Sequence, residues 1–245
     1  MKLCWQSVPK VHIVNEEEEL SLDLFGLNCY LPTLTLVGDT KYKEPDMELL
    51  RPFFIDLAWA LTKQDMRVAV IDGATDFGVM RLFNEACEQI GNQPTALIGV
   101  TLQTAVEKEE MPLGSHHSHI LLTPGGTREW AAVVPWMRQV QSIVTGGKKP
   151  SALLAVGGGA ITLRHMREHA AAEIPLYVLL GSGLLSQGFV EARKDIPDPM
   201  YPFPIDEHKH LLSNSSLTLL DLTSPRQAID EIMKSLYDTK PVEPH

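Results

Sequence analysis

At 245 residues, with 44% apolar and 21% charged side chains, the chain has the make-up of a folded globular protein and the length for one well-buried domain. Its net charge of −10, from 31 acidic against 21 basic residues, excludes broad contact with a phosphate backbone, so no nucleic-acid partner is expected. No apolar run approaches the roughly 20 residues that span a bilayer, and the residues after Lys2 lack a secretory hydrophobic region, so a cytoplasmic location without membrane contact is expected. Cys4, Cys29 and Cys87 are scattered, without the spacing of a zinc site or redox pair, and read as reduced and structural.

Residues 10–14 read as a first short strand, and the acidic run 16–19 opens a short amphipathic helix whose carboxylates suit its N-terminal dipole. A buried strand at 31–37 leads to a helix at 46–64 with Leu49, Leu50, Phe53, Leu57 and Leu61 on one stripe, Pro52 lying in its early turns where it can shift the start. Strand 67–71, helix 79–90 and strand 96–100 follow. Residues 101–117 show no clear periodicity and read as a lid or an extra surface element. Next come strand 118–123, helix 128–145, strand 152–156, helix 161–172, strand 176–180, a proline-rich stretch at 197–204, strand 217–222 and helix 225–237. This alternation predicts an α/β, Rossmann-like, doubly wound and mainly parallel sheet of about seven strands, with helices on both faces and right-handed crossovers. A single domain over 1–245 is expected, with 191–245 completing the sheet.

The most informative pattern is repeated at strand ends. Gly38, Asp39 and Thr40 follow one apolar run; Gly73, Ala74, Thr75, Asp76, Phe77 and Gly78 another; then come Gly125, Gly126, Thr127 and Arg128; Gly157, Gly158 and Gly159; and Gly181, Ser182 and Gly183. In an open parallel sheet these ends share one edge, and ligands bind in the crevice outside them where strand order reverses. Helix N-termini present unbonded N–H groups and a positive dipole end, and glycine lets a phosphate approach the backbone. The turns at 73–78 and 125–127 are therefore the expected phosphate cradle, with Arg128 or Arg138 adding a charge-assisted contact.

His116, His117 and His119 lack the cysteine or carboxylate that would complete a recognisable metal set, so no metal is expected. His117 and His119 flank a strand start and are expected to point to one side. His165 and His169, one helical turn apart, read as a solvent face. No cofactor is implied.

Taken in order, the segment Gly73 to Met80, the run His117 to Leu122, Gly126-Thr127, Val156-Gly157-Gly158-Gly159 and Leu180-Gly181-Ser182-Gly183 resemble the SLOG superfamily. The pattern is most similar to the N-terminal region of melastatin-type TRP channels and its free-standing prokaryotic relatives, the LSDAT proteins. Val11-His12-Ile13-Val14 and Phe25-Gly26-Leu27 match the entry to that region, and the resemblance covers about residues 10–190. It implies a Rossmann-like fold that binds or senses a nucleotide-derived small molecule, such as a nucleotide, a nucleotide-sugar or ADP-ribose, with the five glycine turns as binding loops. The sequence departs from the pattern at Asp39 and Ala74, where glycine is usual, at Phe77, where a small hydroxyl residue is common, and at Leu184, where the channel branch often has arginine. An acidic side chain at Asp39 suits a ribose diol or a metal-bound phosphate.

An enzymatic alternative rests on Pro124-Gly125-Gly126-Thr127-Arg128-Glu129, which resembles a shortened form of the motif of the phosphoribohydrolase branch of the same superfamily. There a glutamate assists cleavage of the N-glycosidic bond of a nucleoside monophosphate, and Glu129 would take that part. The motif is two residues short and no Arg-Lys pair precedes the strand, so a binding protein is the preferred reading. A structural assembly subunit with an empty crevice is the third, and homo-oligomer formation is compatible with all three.

Overall fold

The strands at the centre of the chain are continuous apolar runs rather than alternating ones, and the computed structural model shows why. Ala69–Asp72, Ala96–Leu102 and His119–Thr123 are buried at every position, as strands covered by helices on both faces must be. The structure describes residues 9–15, 17, 19–63, 66–126, 129–194, 202 and 204–237. Cys4, Thr127, Arg128 and most of the proline-rich stretch lie outside these residues.

In chain order the elements are β1 (Lys10–Ile13), β2 (Thr33–Gly38), α1 (Glu44–Leu61), β3 (Ala69–Asp72), α2 (Gly78–Ile90), β4 (Ala96–Leu102), α3 (Gln103–Glu107), β5 (His119–Thr123), α4 (Val133–Thr145), β6 (Ser151–Val156), α5 (Ala160–Ala171), β7 (Leu176–Leu180), α6 (Leu184–Ala192), α7 (Ile205–Leu212), β8 (Leu217–Asp221) and α8 (Pro225–Tyr237). The eight strands form one sheet in the order β1-β5-β4-β3-β2-β6-β7-β8, and every pairing is parallel. From β2 the chain winds outward through β3, β4 and β5 on one side, then crosses back to lay β6 against the other side of β2. Strand order therefore reverses between β2 and β6.

Period-two alternation sends Leu34, Leu36, Val70, Leu154 and Leu179 into a core beneath α1, α2 and α8. Their neighbours Ile71, Ile98, Leu121, Leu153 and Val178 enter the opposite core, beneath α4 to α7. Burying each Leu, Ile or Phe contributes roughly 1.5–3 kcal/mol. Pro52 stands inside α1 without shifting its start. Of the acidic run at 16–19, where a short helix is expected to open, Glu16 and Glu18 lie outside the described residues, and a 3-10 turn follows at Leu22–Phe25. Helices α6 and α7 were not anticipated.

Segment 101–117 is not a structureless lid. Strand β4 runs on to Leu102, α3 follows, and the remainder is tied to the turn after β3: Asp76 N–H donates to Pro112 O at 2.9 Å, Gly114 N–H to Ala74 O at 2.9 Å, and Thr75 pairs with Leu113 in an isolated antiparallel bridge. The periodicity was short because α3 has only five residues.

Two glycines serve close approach. A Cβ on Gly38 would lie 2.1 Å from Val156 O, and one on Gly78 would lie 1.8 Å from Asp39 O. Gly78 and Gly91 share left-handed φ values of 51° and 66°, but nothing lies within 4 Å of a Cβ on Gly91. Replacing each by alanine separates the two costs. Gly91→Ala is expected to lose about 1–2 kcal/mol from backbone strain alone, while Gly78→Ala loses that plus the backbone clash, giving a distinctly lower urea midpoint. Equal midpoints would show that the approach of Asp39 to α2 is not a constraint.

Candidate functional site

The backbone leaving β2 is gripped from both sides. Asp39 N–H donates to Val156 O at 3.1 Å, and Asp39 O accepts from Val79 N–H at 3.1 Å, in the first turn of α2. The start of α2 is thus partly satisfied within the chain. Other amides of its turn are also engaged: Ala74 N–H donates to Asp72 Oδ1 at 2.7 Å and Asp76 N–H to Pro112 O. Ala74 holds a φ of 61°, which explains why glycine is usual at this place in the family pattern.

Where the loops after β2 and β6 part, a cavity of about 710 Å³ opens. It lies at the point where strand order reverses, as expected for an open parallel sheet. Of the residues singled out from sequence, Gly38, Asp39, Thr40, Gly73, Thr75, Gly158 and Gly159 line it. Gly181, Ser182 and Gly183 line a neighbouring cavity of about 270 Å³, and Asp39, Lys41 and Leu184 line both. Tyr42 stands in this smaller cavity, and its hydroxyl donates to Ser182 O.

The other candidates among the described residues line neither cavity. Ala74 and Gly78 are consumed by the contacts just described. Gly157 lies beneath Tyr42 and Ser182, its N–H donating to Ser182 Oγ at 2.8 Å. Gly126 N–H donates to a carboxylate oxygen of Glu129 at 3.1 Å, so this exposed loop closes on itself just after Gly125. Glu129 precedes a 3-10 turn at Trp130–Ala132 rather than sitting in the first turn of α4. Arg138 is half-buried and donates to Gln141, whose Nε2 donates to the buried Thr35 hydroxyl at 3.2 Å. It does not line the cavity.

Val133 opens α4 and Leu184 opens α6 at the cavity wall, but α5 contributes its whole first turn. Gly159 is the N-cap of α5 and makes no side-chain cap bond, and the first intrahelical bond runs from Leu163 N–H to Gly159 O at 3.0 Å. The amides of Ala160, Ile161 and Thr162 precede that bond, and all three residues line the cavity. Across from them the wall is apolar: Trp130, Val133 and Met137 on one side, Met80 and Met111 on another. Sequence reasoning missed these residues because a 130, 133, 137 spacing reads as an ordinary core stripe.

The histidines depart from expectation. His165 and His169 are buried, at 4% and 0% exposure, and His165 lines the cavity. Both sit on the α5 stripe that faces the sheet, with Thr162, Leu163 and Met166. Burial, with Arg164 nearby, pushes His165 down to about 4, and burial, with Arg138 nearby, pushes His169 down to about 3. His117 and His119 lie on opposite sides of the sheet. His119 packs edge-on to Phe25 and stacks on His12, whereas His117 precedes the strand and its Nε2 reaches Asp72 Oδ1 at 2.7 Å, with both side chains fully buried. The alternation fails because regular pairing begins only after residue 117. Burial opposes the charge on His117, but the Asp72 carboxylate, the hydrogen bond to it and the Gly114 carbonyl outweigh it, so His117 is raised above its ordinary value. The Cys87 thiol is pushed up to about 12, first by burial and then by Asp72. Among the described residues no three His, Cys, Asp or Glu side chains converge as a metal site, and no helix is long and apolar enough to cross a membrane.

Comparison with known proteins places this geometry in context. A family model described as "SLOG in TRPM, prokaryote" matches residues 31–230. No curated protein matches the chain significantly. Among solved structures, two of the molybdenum cofactor carrier protein from Chlamydomonas reinhardtii are similar: one at 14% identity over 84% of this chain and 98% of the carrier, the other at 15% over 84% and 99%, each with a TM-score of 0.50. These likenesses show the α/β fold.

The buried histidines set the sign of the acid response. His165 and His169 stay neutral in the folded state while the unfolded chain takes up protons below about pH 6.5, so stability is lost as pH falls from there toward 4. His117 acts in the other direction: its contribution is complete below about pH 6.5 and is lost as pH rises through its elevated folded value. Each slope is at most about 1.4 kcal/mol per pH unit per group. Urea midpoints measured from pH 4 to 9 are expected to fall on the acid side, and His165→Phe is expected to flatten that fall. An acid slope unchanged in the variant would show that His165 titrates normally.

Proposed function

Because the chain belongs to the SLOG family in its prokaryotic, TRPM-type form, we propose that it binds a nucleotide-derived small molecule in the crevice between β2 and β6, as a sensor or carrier. The observation that carries this reading is the start of α5. Its first three residues line the cavity, and an N-terminal dipole with unbonded N–H groups is suited to a phosphate. In this reading the cradle is Gly158, Gly159 and the first turn of α5, with Gly38, Thr40 and Gly73 around it. In the turn at 73–78 the amides of Ala74 and Asp76, and after β5 that of Gly126, are spent on the chain's own hydrogen bonds. Asp39 at the cavity rim is suited to a ribose diol.

Glycosidic cleavage is disfavoured by one specific contact. The Glu129 carboxylate is held by the Gly126 amide in an exposed loop, and Glu129 does not line the cavity. A catalytic carboxylate must lie within reach of the reacting atom.

Two measurements test this. Adenosine 5′-monophosphate, ADP-ribose or ribose 5-phosphate is expected to raise the melting temperature with concentration, by about 2.7 kcal/mol of stabilisation at one hundred times Kd. Ile161 is 41% exposed in the first turn of α5, so Ile161→Glu is expected to leave the unliganded protein at least as stable, through the dipole, while abolishing the shift through charge repulsion. A shift that survives Ile161→Glu places the ligand elsewhere.

The second measurement follows nucleoside monophosphates by chromatography after long incubation. They are expected to be recovered intact from both the parent protein and Glu129→Gln. Release of free base that depends on Glu129 would replace the binding reading with the hydrolase one.

A further inference from the structure

Among the described histidines with a buried, unpartnered ring nitrogen, His165 is the one that lines the crevice. A buried polar group left unmet is costly, and a ligand in the crevice can meet it. The neighbouring His169 donates from Nδ1–H to His165 O at 2.8 Å and leaves its Nε2 without a partner among the described residues, away from the cavity lining. His165 Nδ1 is likewise without a hydrogen-bond partner among the described residues, and His165, only 4% exposed, does line the 710 Å³ cavity. Thr75 Oγ1, 3% exposed and lining the same cavity, is likewise without a partner among the described residues.

Position along α5 adds a second constraint. Thr162 is three residues before His165 on the same stripe, so His165 lies ~4.5 Å along the axis beyond the last of the amides that open the helix. The same cavity is lined by Trp130, Val133, Met137, Met80 and Met111. Flat, polarisable surfaces of this kind suit an aromatic ring, through stacking on indole and sulfur–ring contact. An apolar slot with one convergent polar group fixes the orientation of what it holds.

We propose, resting on the phosphate reading above, that His165 is the specificity residue of this crevice: it hydrogen-bonds the polar edge of a planar heteroaromatic ring held against Trp130 and the three methionines. The ligand class is then a phosphomonoester joined to such a ring. Among the described lining residues the charged side chains are Lys41 and Asp39, one of each sign, which favours a probe with a single phosphate. A neutral imidazole offers one donor and one acceptor, so His165 reads a ring edge without adding charge.

The test compares a ring-bearing with a ring-free phosphate. Calorimetric titration of the full chain with the monophosphates of adenosine, guanosine and uridine and with ribose 5-phosphate is expected to show at least one nucleotide binding about tenfold tighter than the sugar phosphate, the size of one net hydrogen bond plus packing. In His165→Phe, which keeps a ring in place, that gap is expected to close to about threefold while ribose 5-phosphate binds as before. Nitrogen-15 spectra of the parent protein supply a readout that needs no variant: the His165 ring resonances are expected to move with the favoured nucleotide and stay still with ribose 5-phosphate. A gap that persists in His165→Phe, no gap in the parent protein, or ring resonances indifferent to the nucleotide would each overturn the proposal while leaving the phosphate cradle standing. If neither nucleotide nor sugar phosphate binds, the cradle itself is wrong and the proposal falls with it.

Discussion

The backbone of Asp39 is the hinge of the architecture. Its N–H bonds the last carbonyl of β6 and its C=O bonds the first turn of α2, so one residue joins the two halves of the doubly wound sheet at the place where they diverge. Both contacts require backbone to approach backbone without a Cβ between, and Gly38 and Gly78 provide that. The same arrangement decides what is left for a ligand. With the α2 terminus partly closed, the start of α5 is the helix end that gives its whole first turn to the cavity wall.

Behind the crevice floor lies a second device. Asp72, at the end of β3, accepts from Ala74 N–H and from His117, while Ala74 O accepts from Gly114 N–H and His117 Nδ1 contacts Gly114 O. This closed ring of hydrogen bonds fixes Ala74 in its left-handed conformation and sets the segment after α3 against the turn that carries Thr75. A buried carboxylate is costly alone and tolerable with a paired, hydrogen-bonded partner. His117 is therefore structural, although its proximity to His116 and His119 in the chain invites a metal reading.

Much of the fold was legible in the sequence, since long apolar runs bounded by glycine at strand ends leave few alternatives to a parallel sheet. The residues gathered at the crevice were legible in part. Gly38, Thr40, Gly73, Thr75, Gly158 and Gly159 announce themselves by type and place, and they do line the cavity. Gly78, Gly126 and Gly157 carry the same signal and serve close packing or a loop bond instead, because glycine marks any tight approach of backbone, whether to a ligand or to another strand. His165 and Trp130 were illegible for the opposite reason: at helical spacing a cavity wall and a protein core look alike, and only the three-dimensional gap between α4 and α5 separates them. Helix α6, nine residues, and α7, eight, fell below the length at which periodicity speaks.

The final helix shares its core with the first strands of the sheet. Ile232 and Leu236, at 0% and 1% exposure, are packed in the same cluster as Leu34 and Leu36, some two hundred positions earlier in the chain, and α8 rests directly on α1. During synthesis the part of that face over β6 and β8 thus stays uncovered until residues near 236 have left the ribosome. A parallel sheet closed by such distant contacts is slow to form and exposed to misassembly meanwhile. The nascent chain carries that hazard on the face opposite its crevice, which identifies α8 as the element whose arrival ends the vulnerable period.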